Sequence, residues 1–147
     1  MYILDTCILN ILFHDSPAQQ KNLKAKLATV DDRDIWVSVV TVQELLIDGI
    51  APAIKNRISK NDPKVVLAFN SLLTFLNDLS EYQILPYTDN DDAYFQKIPA
   101  KVKRKGSMDC RIAASAVNNG FTVITQNTRD FEGTGGHCED WTVSNTK

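Results

Sequence analysis

The chain has 147 residues, 44% of them hydrophobic, and no composition shift marks a second unit, so one domain over residues 1–147 with a real core is expected. A net charge of -2 and a pI near 5.6 exclude the global basic footprint of a simple nucleic-acid binder, so any such site must be local. Cys7, Cys110 and Cys138 are odd in number and contain no C-x-x-C pair, which argues for reduced, buried thiols rather than a disulfide frame or a zinc site. No charged segment precedes an apolar one at the start, and no apolar run approaches the ~20 residues that span a bilayer, so a soluble cytoplasmic protein is expected.

Tyr2-Ile3-Leu4 reads as a first, central strand that stops at Asp5. Ser16-Pro17-Ala18-Gln19 combines an N-cap serine, proline at the first helical position and a capping-box glutamine, and predicts a helix from Pro17 to Thr29. Ile35 to Val40 predicts the second strand, with Thr41 to Glu44 as a capping box opening the next helix and Pro52 interrupting or restarting it. Val66, Phe69, Leu73 and Leu76, with Leu72 and Leu79 beside them, predict a long amphipathic helix over Pro63 to Leu79. A short strand at Gln83 to Pro86 and an acidic helix start at Thr88 to Asp91 follow, with Tyr94, Phe95 and Ile98 on the buried side and a kink at Pro99.

Met108, Ile112 and Ala116 recur at helical spacing, Asn118-Asn119-Gly120 supplies a stop, and Phe121 to Thr125 suits a buried strand. Gly133 to Gly136 reads as a loop, and Trp141-Thr142-Val143 as a last short strand. Alternating strands and helices imply an α/β fold: three layers, α/β/α, around a mostly parallel sheet of about five strands. Ligands in such sheets sit beyond the carboxyl ends of the strands.

Asp5, Glu44 and Asp130 fall at strand exits, and Asp109 joins them if its helix starts at the same edge. Two ionised carboxylates ~4 Å apart repel by about 4 kcal/mol at an effective dielectric of 20, so a cluster requires protons or a cation. Oxygen donors without thiolate or imidazole suit Mg²⁺ or Mn²⁺, which activates water for attack on a phosphodiester. Each acid also has a plain structural account. Asp5 can end a strand, Glu44 complete a capping box, Asp109 answer its helix dipole, and Asp130 sit in a turn. Lys101, Lys103, Arg104 and Lys105, with Lys97, form a positive run ahead of Asp109 that suits either a solvated helix end or RNA phosphates.

Y-I-L-D-T-C, S-V-V-T-V-Q-E-L, M-D-C-R-I-A-A-S-A and T-Q-N-T-R-D-F, in that order, resemble the motifs of PIN domains, most closely VapC-type toxins of bacterial toxin-antitoxin pairs. The resemblance covers nearly the whole chain. It implies a PIN-like fold, a metal-dependent endoribonuclease leaving 5′-phosphate and 3′-hydroxyl ends, a homodimer and a small antitoxin partner. It puts Asp5, Glu44 and Asp109 in the acidic cluster, Asn127 or Asp130 in the fourth place, and Thr6 as a supporting hydrogen-bonding residue. Cys7 stands where the family often has a small polar residue, which removes or weakens one hydrogen-bonding group. Two rivals are a PIN-like module that only binds a partner and a phosphoaspartyl-type phosphatase. The latter resembles D-x-D after the first strand, where Cys7 replaces the second aspartate.

Overall fold

The computed structural model of the chain describes residues 1–13 and 17–144. Five strands, β1 (Tyr2–Leu4), β2 (Ile35–Ser38), β3 (Gln83–Leu85), β4 (Thr122–Ile124) and β5 (His137–Glu139), form one sheet in the order β3-β2-β1-β4-β5. Every pairing is parallel, with Leu4 opposite Val37 on one side and Ile124 on the other. The expected three-layer α/β/α architecture is therefore present. Strand alternation divides the core. Ile3 and Val123 face one layer with Ile112, Ala113 and Ala116, while Leu4 and Ile124 face the other with Ile8, Leu9 and Phe75.

The helices are α1 (Thr6–Phe13), α2 (Pro17–Leu27), α3 (Val39–Glu44), α4 (Ala51–Ser59), α5 (Val65–Leu79), α6 (Asp89–Lys97), α7 (Ala100–Lys103) and α8 (Ser107–Asn119). Among the described residues none is long and apolar enough to cross a membrane. All three cysteines are free; Cys110 is buried, whereas Cys7 and Cys138 are only partly so.

Four expectations need correction. Helix α1, absent from the sequence reading, begins directly after Asp5, whose carbonyl accepts from Ile8 and Leu9 N–H. Strand β2 ends at Ser38, not Val40, because the Ser38 hydroxyl caps α3 by accepting from Val40 N–H. Thr41 consequently lies inside α3 and opens no capping box, so the plain structural account of Glu44 disappears. The last strand is His137–Glu139 rather than Trp141 to Val143; Trp141 is buried beside it and donates its indole N–H to Glu139 at 2.7 Å.

In α5 the predicted stripe points outward. Val66, Phe69, Leu73 and Leu76 are between 48% and 62% exposed, while Ala68 and Phe75 face the core with Leu72 and Leu79 against it. The N-cap assignment at Ser16 falls outside the described residues. A six-residue π-helical turn, Leu45–Ile50, joins α3 to α4, with Pro52 in the first turn of α4 where the next helix begins. At Pro99 the chain leaves α6 and starts α7, so the proline separates two helices.

Candidate metal centre at the carboxyl edge of the sheet

All strands being parallel, their carboxyl ends share one edge. The order reverses direction at β1 and β4, which opens the crevice where such sheets take ligands. Asp5 follows β1 at this point, and the strand ladder continues past it, with Asp5 N–H donating to Ile124 C=O at 3.0 Å. The register sets Thr125 beside Asp5 across that boundary. Helix α8 turns into β4 through Gly120, whose φ of 66° is the left-handed conformation glycine accepts, and Thr122 N–H then pairs with Met1 C=O. Its C-terminus thus lies at the opposite edge, and its first turn, carrying Asp109, lies over the site.

The Asp5 carboxylate, 4% exposed, is held by Thr6 N–H on Oδ1 at 2.7 Å and by Thr125 O–H on Oδ2 at 2.7 Å. Burial raises its pKa against these bonds, and Asp130 adds to the rise. Glu44, at the end of α3, accepts from Thr6 O–H at 2.5 Å; burial raises its pKa, and the charges of Asp5 and Asp48 raise it further. Asp109 is pushed up to about 6, first by burial and then by the charges of Asp5, Glu44 and Asp130. The four acids therefore act on one another. Among the described residues none of them forms an ion pair.

Asp130 is exposed on the short 3-10 turn Thr128–Phe131, yet its charge bears on both Asp5 and Asp109. Asn127, one residue before that turn, is exposed and gives its backbone N–H to Thr125 Oγ1 at 3.0 Å. Of the two residues considered for the fourth place, only Asp130 adds negative charge to the cluster.

Among the described residues no three His, Cys, Asp or Glu side chains converge as a ready-made ion cage. The donor set still fits a hard divalent cation. It is all carboxylate oxygen and partly desolvated, and burial first, then neighbouring acidic charge, raises the pKa of Asp5, Glu44 and Asp109.

Two residues of the site escaped the sequence reading. Thr125 bonds Asp5 directly, and pairing β1 with β4 in parallel was the signal that could have placed it there. Cys7, read as a weakened hydrogen-bonding position, in fact fills it, with Sγ 3.4 Å from Asp5 Oδ2. In the basic run, Lys103 lies over the Phe95 ring at 4.9 Å and donates to Gln96 C=O at 3.2 Å, while Lys101, Arg104 and Lys105 are exposed just ahead of α8.

Gly106, immediately before α8, is the tightest point. A methyl group there would collide with Asp109 Oδ2 and sit 3.1 Å from its Cγ. Because the obstacle is a rotatable carboxylate, Gly106→Ala should leave the melting temperature within about 2 °C but displace Asp109, with about a tenfold loss of any activity that needs it. Parallel thermal melts and activity assays check this; a large drop in melting temperature would show the glycine to be structural instead.

A parallel α/β/α sheet with acids gathered at its carboxyl edge defines a class of acid-cluster α/β proteins. Within that class, the chain belongs to the PIN domain family, whose model matches residues 2–136. It is 27% identical over 145 residues to the tRNA(fMet)-specific endonuclease VapC of Shigella flexneri, covering 95% of this chain and 97% of that one. It is similar to the DNA-bound VapBC of Salmonella typhimurium, with a TM-score of 0.67, 25% identity and coverage of 95% and 97%. FitAcB from Neisseria gonorrhoeae shares the fold at a TM-score of 0.64 and 22% identity, again covering 95% and 97%.

Proposed function

We propose that the protein is a Mg²⁺- or Mn²⁺-dependent endoribonuclease and the toxin of a toxin-antitoxin pair. The observation that carries this reading is the gathering of acids at the β1–β4 crevice, where burial and then the charges of Asp5, Glu44 and Asp130 hold Asp109 up to about 6, and where no cationic side chain among the described residues pairs with Asp109. Asp5 and Asp109 would hold the cation, Glu44 would orient the attacking water, and Asp130 would complete the charge. The bound cation supplies a water nucleophile at neutral pH and an electrostatic partner for the leaving oxygen. Thr6 keeps the Glu44 carboxylate turned toward Asp5. Lys101, Arg104 and Lys105 offset the repulsion between an RNA backbone and the acids.

Asp5 is a poor candidate for a phosphoaspartyl nucleophile, since it is almost fully buried and Cys7 stands where that group has its second aspartate. Purified protein incubated with total RNA and with tRNA(fMet), the substrate named for the Shigella relative, should give discrete fragments with 5′-phosphate ends when Mg²⁺ or Mn²⁺ is present. Fragments ending in cyclic phosphate, or none with either cation, would contradict the proposal.

The Salmonella neighbour is a DNA-bound VapBC, and a small antitoxin partner, as the resemblance to VapC-type toxins implies, is proposed for this chain. The outward face of α5 and the groove of about 690 Å³ between it, α1 and α4 give this chain an apolar surface that water does not favour. We assign the α5 face to self-association. The protein should run at twice its 16.5 kDa mass, and Phe69→Glu with Leu73→Glu should return it to monomer with an unchanged melting temperature. Light scattering after gel filtration checks this, and an unaltered oligomer would place the contact elsewhere.

A further inference from the structure

The hydrogen bonds around Asp5 form a directed chain that joins the turn after β4 to the carboxylate. Asn127 N–H donates to Thr125 Oγ1 at 3.0 Å, and Thr125 O–H donates to Asp5 Oδ2 at 2.7 Å. In parallel, Gln126 N–H donates to Cys7 Sγ at 3.4 Å, and Cys7 S–H reaches Asp5 Oδ2, also at 3.4 Å. Sγ lies 3.4 Å from Thr125 Oγ1 as well, so the thiol sits in the notch between the two oxygens. An ionised carboxylate only accepts, and a hydroxyl has one hydrogen to give; with Asn127 N–H on the threonine's lone pair, that hydrogen is committed to Asp5.

Counting lone pairs then separates the two carboxylate oxygens. Oδ2 receives two donors, the Thr125 hydroxyl and the Cys7 thiol. Oδ1 receives one, the Thr6 backbone N–H at 2.7 Å, and keeps a lone pair that no donor among the described residues takes. Thr125 is fully buried and Cys7 partly so, which shields these bonds from competing water.

We propose that Thr125 and Cys7 are positioning residues that occupy Oδ2 of Asp5 and thereby reserve Oδ1 for a divalent cation. The proposal rests on the cation-site reading above and adds to it which oxygen is used and which side chains decide that. Neither residue touches the cation. They act through Asp5, fixing its rotation so that Oδ1 would be the oxygen offered to a cation, and they tie that rotation to the backbone of the turn leading to Asp130. Cysteine is an unusual choice here because a thiol is a weak donor; serine would keep the donor and strengthen it.

The test is Mn²⁺ binding by titration calorimetry on wild type, Asp5→Asn, Thr125→Val, Cys7→Ala and Cys7→Ser, each with a thermal melt to show that it is folded. Thr125→Val should weaken Mn²⁺ binding about tenfold and Cys7→Ala about threefold, while Cys7→Ser should bind within about twofold of wild type. Should Thr125→Val fail to fold, the comparison of Cys7→Ala with Cys7→Ser decides alone. Unchanged affinity in Thr125→Val and Cys7→Ala, with binding lost in Asp5→Asn, would overturn the positioning role and leave the cation site standing. Equal weakening in Cys7→Ala and Cys7→Ser would also overturn it, since shape and not the S–H would then matter. No Mn²⁺ binding by wild type would overturn the cation site and this inference together.

Discussion

Replacing Asp109 by asparagine should abolish RNA cleavage and, at the same time, make the fold more stable. The loss is expected to be at least ~1,000-fold, because a carboxylate that holds a catalytic cation cannot be replaced by a neutral amide of the same shape. The gain has a separate origin. Asp109 is held near 6 by burial and by Asp5, Glu44 and Asp130, above the ordinary aspartate value of the unfolded chain. A group whose folded pKa is raised contributes stability that is complete below its unfolded value and lost as pH rises through the folded value.

At pH 7.5 the ionised Asp109 therefore works against folding. Discounted for its half-exposed position, the cost is of order 1 kcal/mol, so Asp109→Asn should raise the melting temperature by about 3 °C. Melts and cleavage assays on one preparation check both. A variant that is inactive but less stable would show that Asp109 holds the fold together and does not strain it.

Acid should silence the protein while stabilising it. With Asp109 near 6, activity should fall through that pH and reach about one-thirtieth of its neutral value at pH 4.5 if this group alone titrates. Asp5 and Glu44 are raised too, so the acid limb should be steeper than one proton. Because a cation competes with those protons, high Mn²⁺ should move the limb to lower pH. The melting temperature should rise over the same interval from pH 7 to 5 in the absence of divalent ions. A rate that is flat from pH 7.5 to 4.5 in a folded protein would argue against ionised carboxylates as the working groups.

Much of this was visible in the chain, and the misses share a cause. Strands β1 and β4 and helix α8 were legible because their apolar runs end on sharp signals, Asp5 at one end and Gly120 at another. Helix α5 was legible as a helix, but periodicity gives a face and not its direction. The more regular apolar stripe was read as the inner one, while Ala68 and Phe75, with Leu72 and Leu79, actually meet the core. Val39 and Val40 have strand propensity, yet the Ser38 cap turns them into a helix. Helix α1 is short and rich in isoleucine and leucine, without a capping signal other than Asp5 itself. His137–Glu139 lacks strand propensity and is made a strand by pairing with β4.

Of the site, Asp5, Glu44, Asp109 and Asp130 were named from position and resemblance, and the structure brings them into one electrostatic group. What sequence could not give was contact across it. The bonds from Thr125 and Cys7 to Asp5, and the way Asp109 leans over Gly106, depend on strands and turns far apart in the chain.

The most direct test of the cation-dependent acidic centre is cleavage of RNA after the protein has been stripped with EDTA, then supplied with Mg²⁺ or Mn²⁺, for wild type, Asp5→Asn and Asp109→Asn. Cleavage should vanish with EDTA and return with either cation in wild type alone. Cleavage that persists in EDTA, or that both folded variants retain, would contradict it.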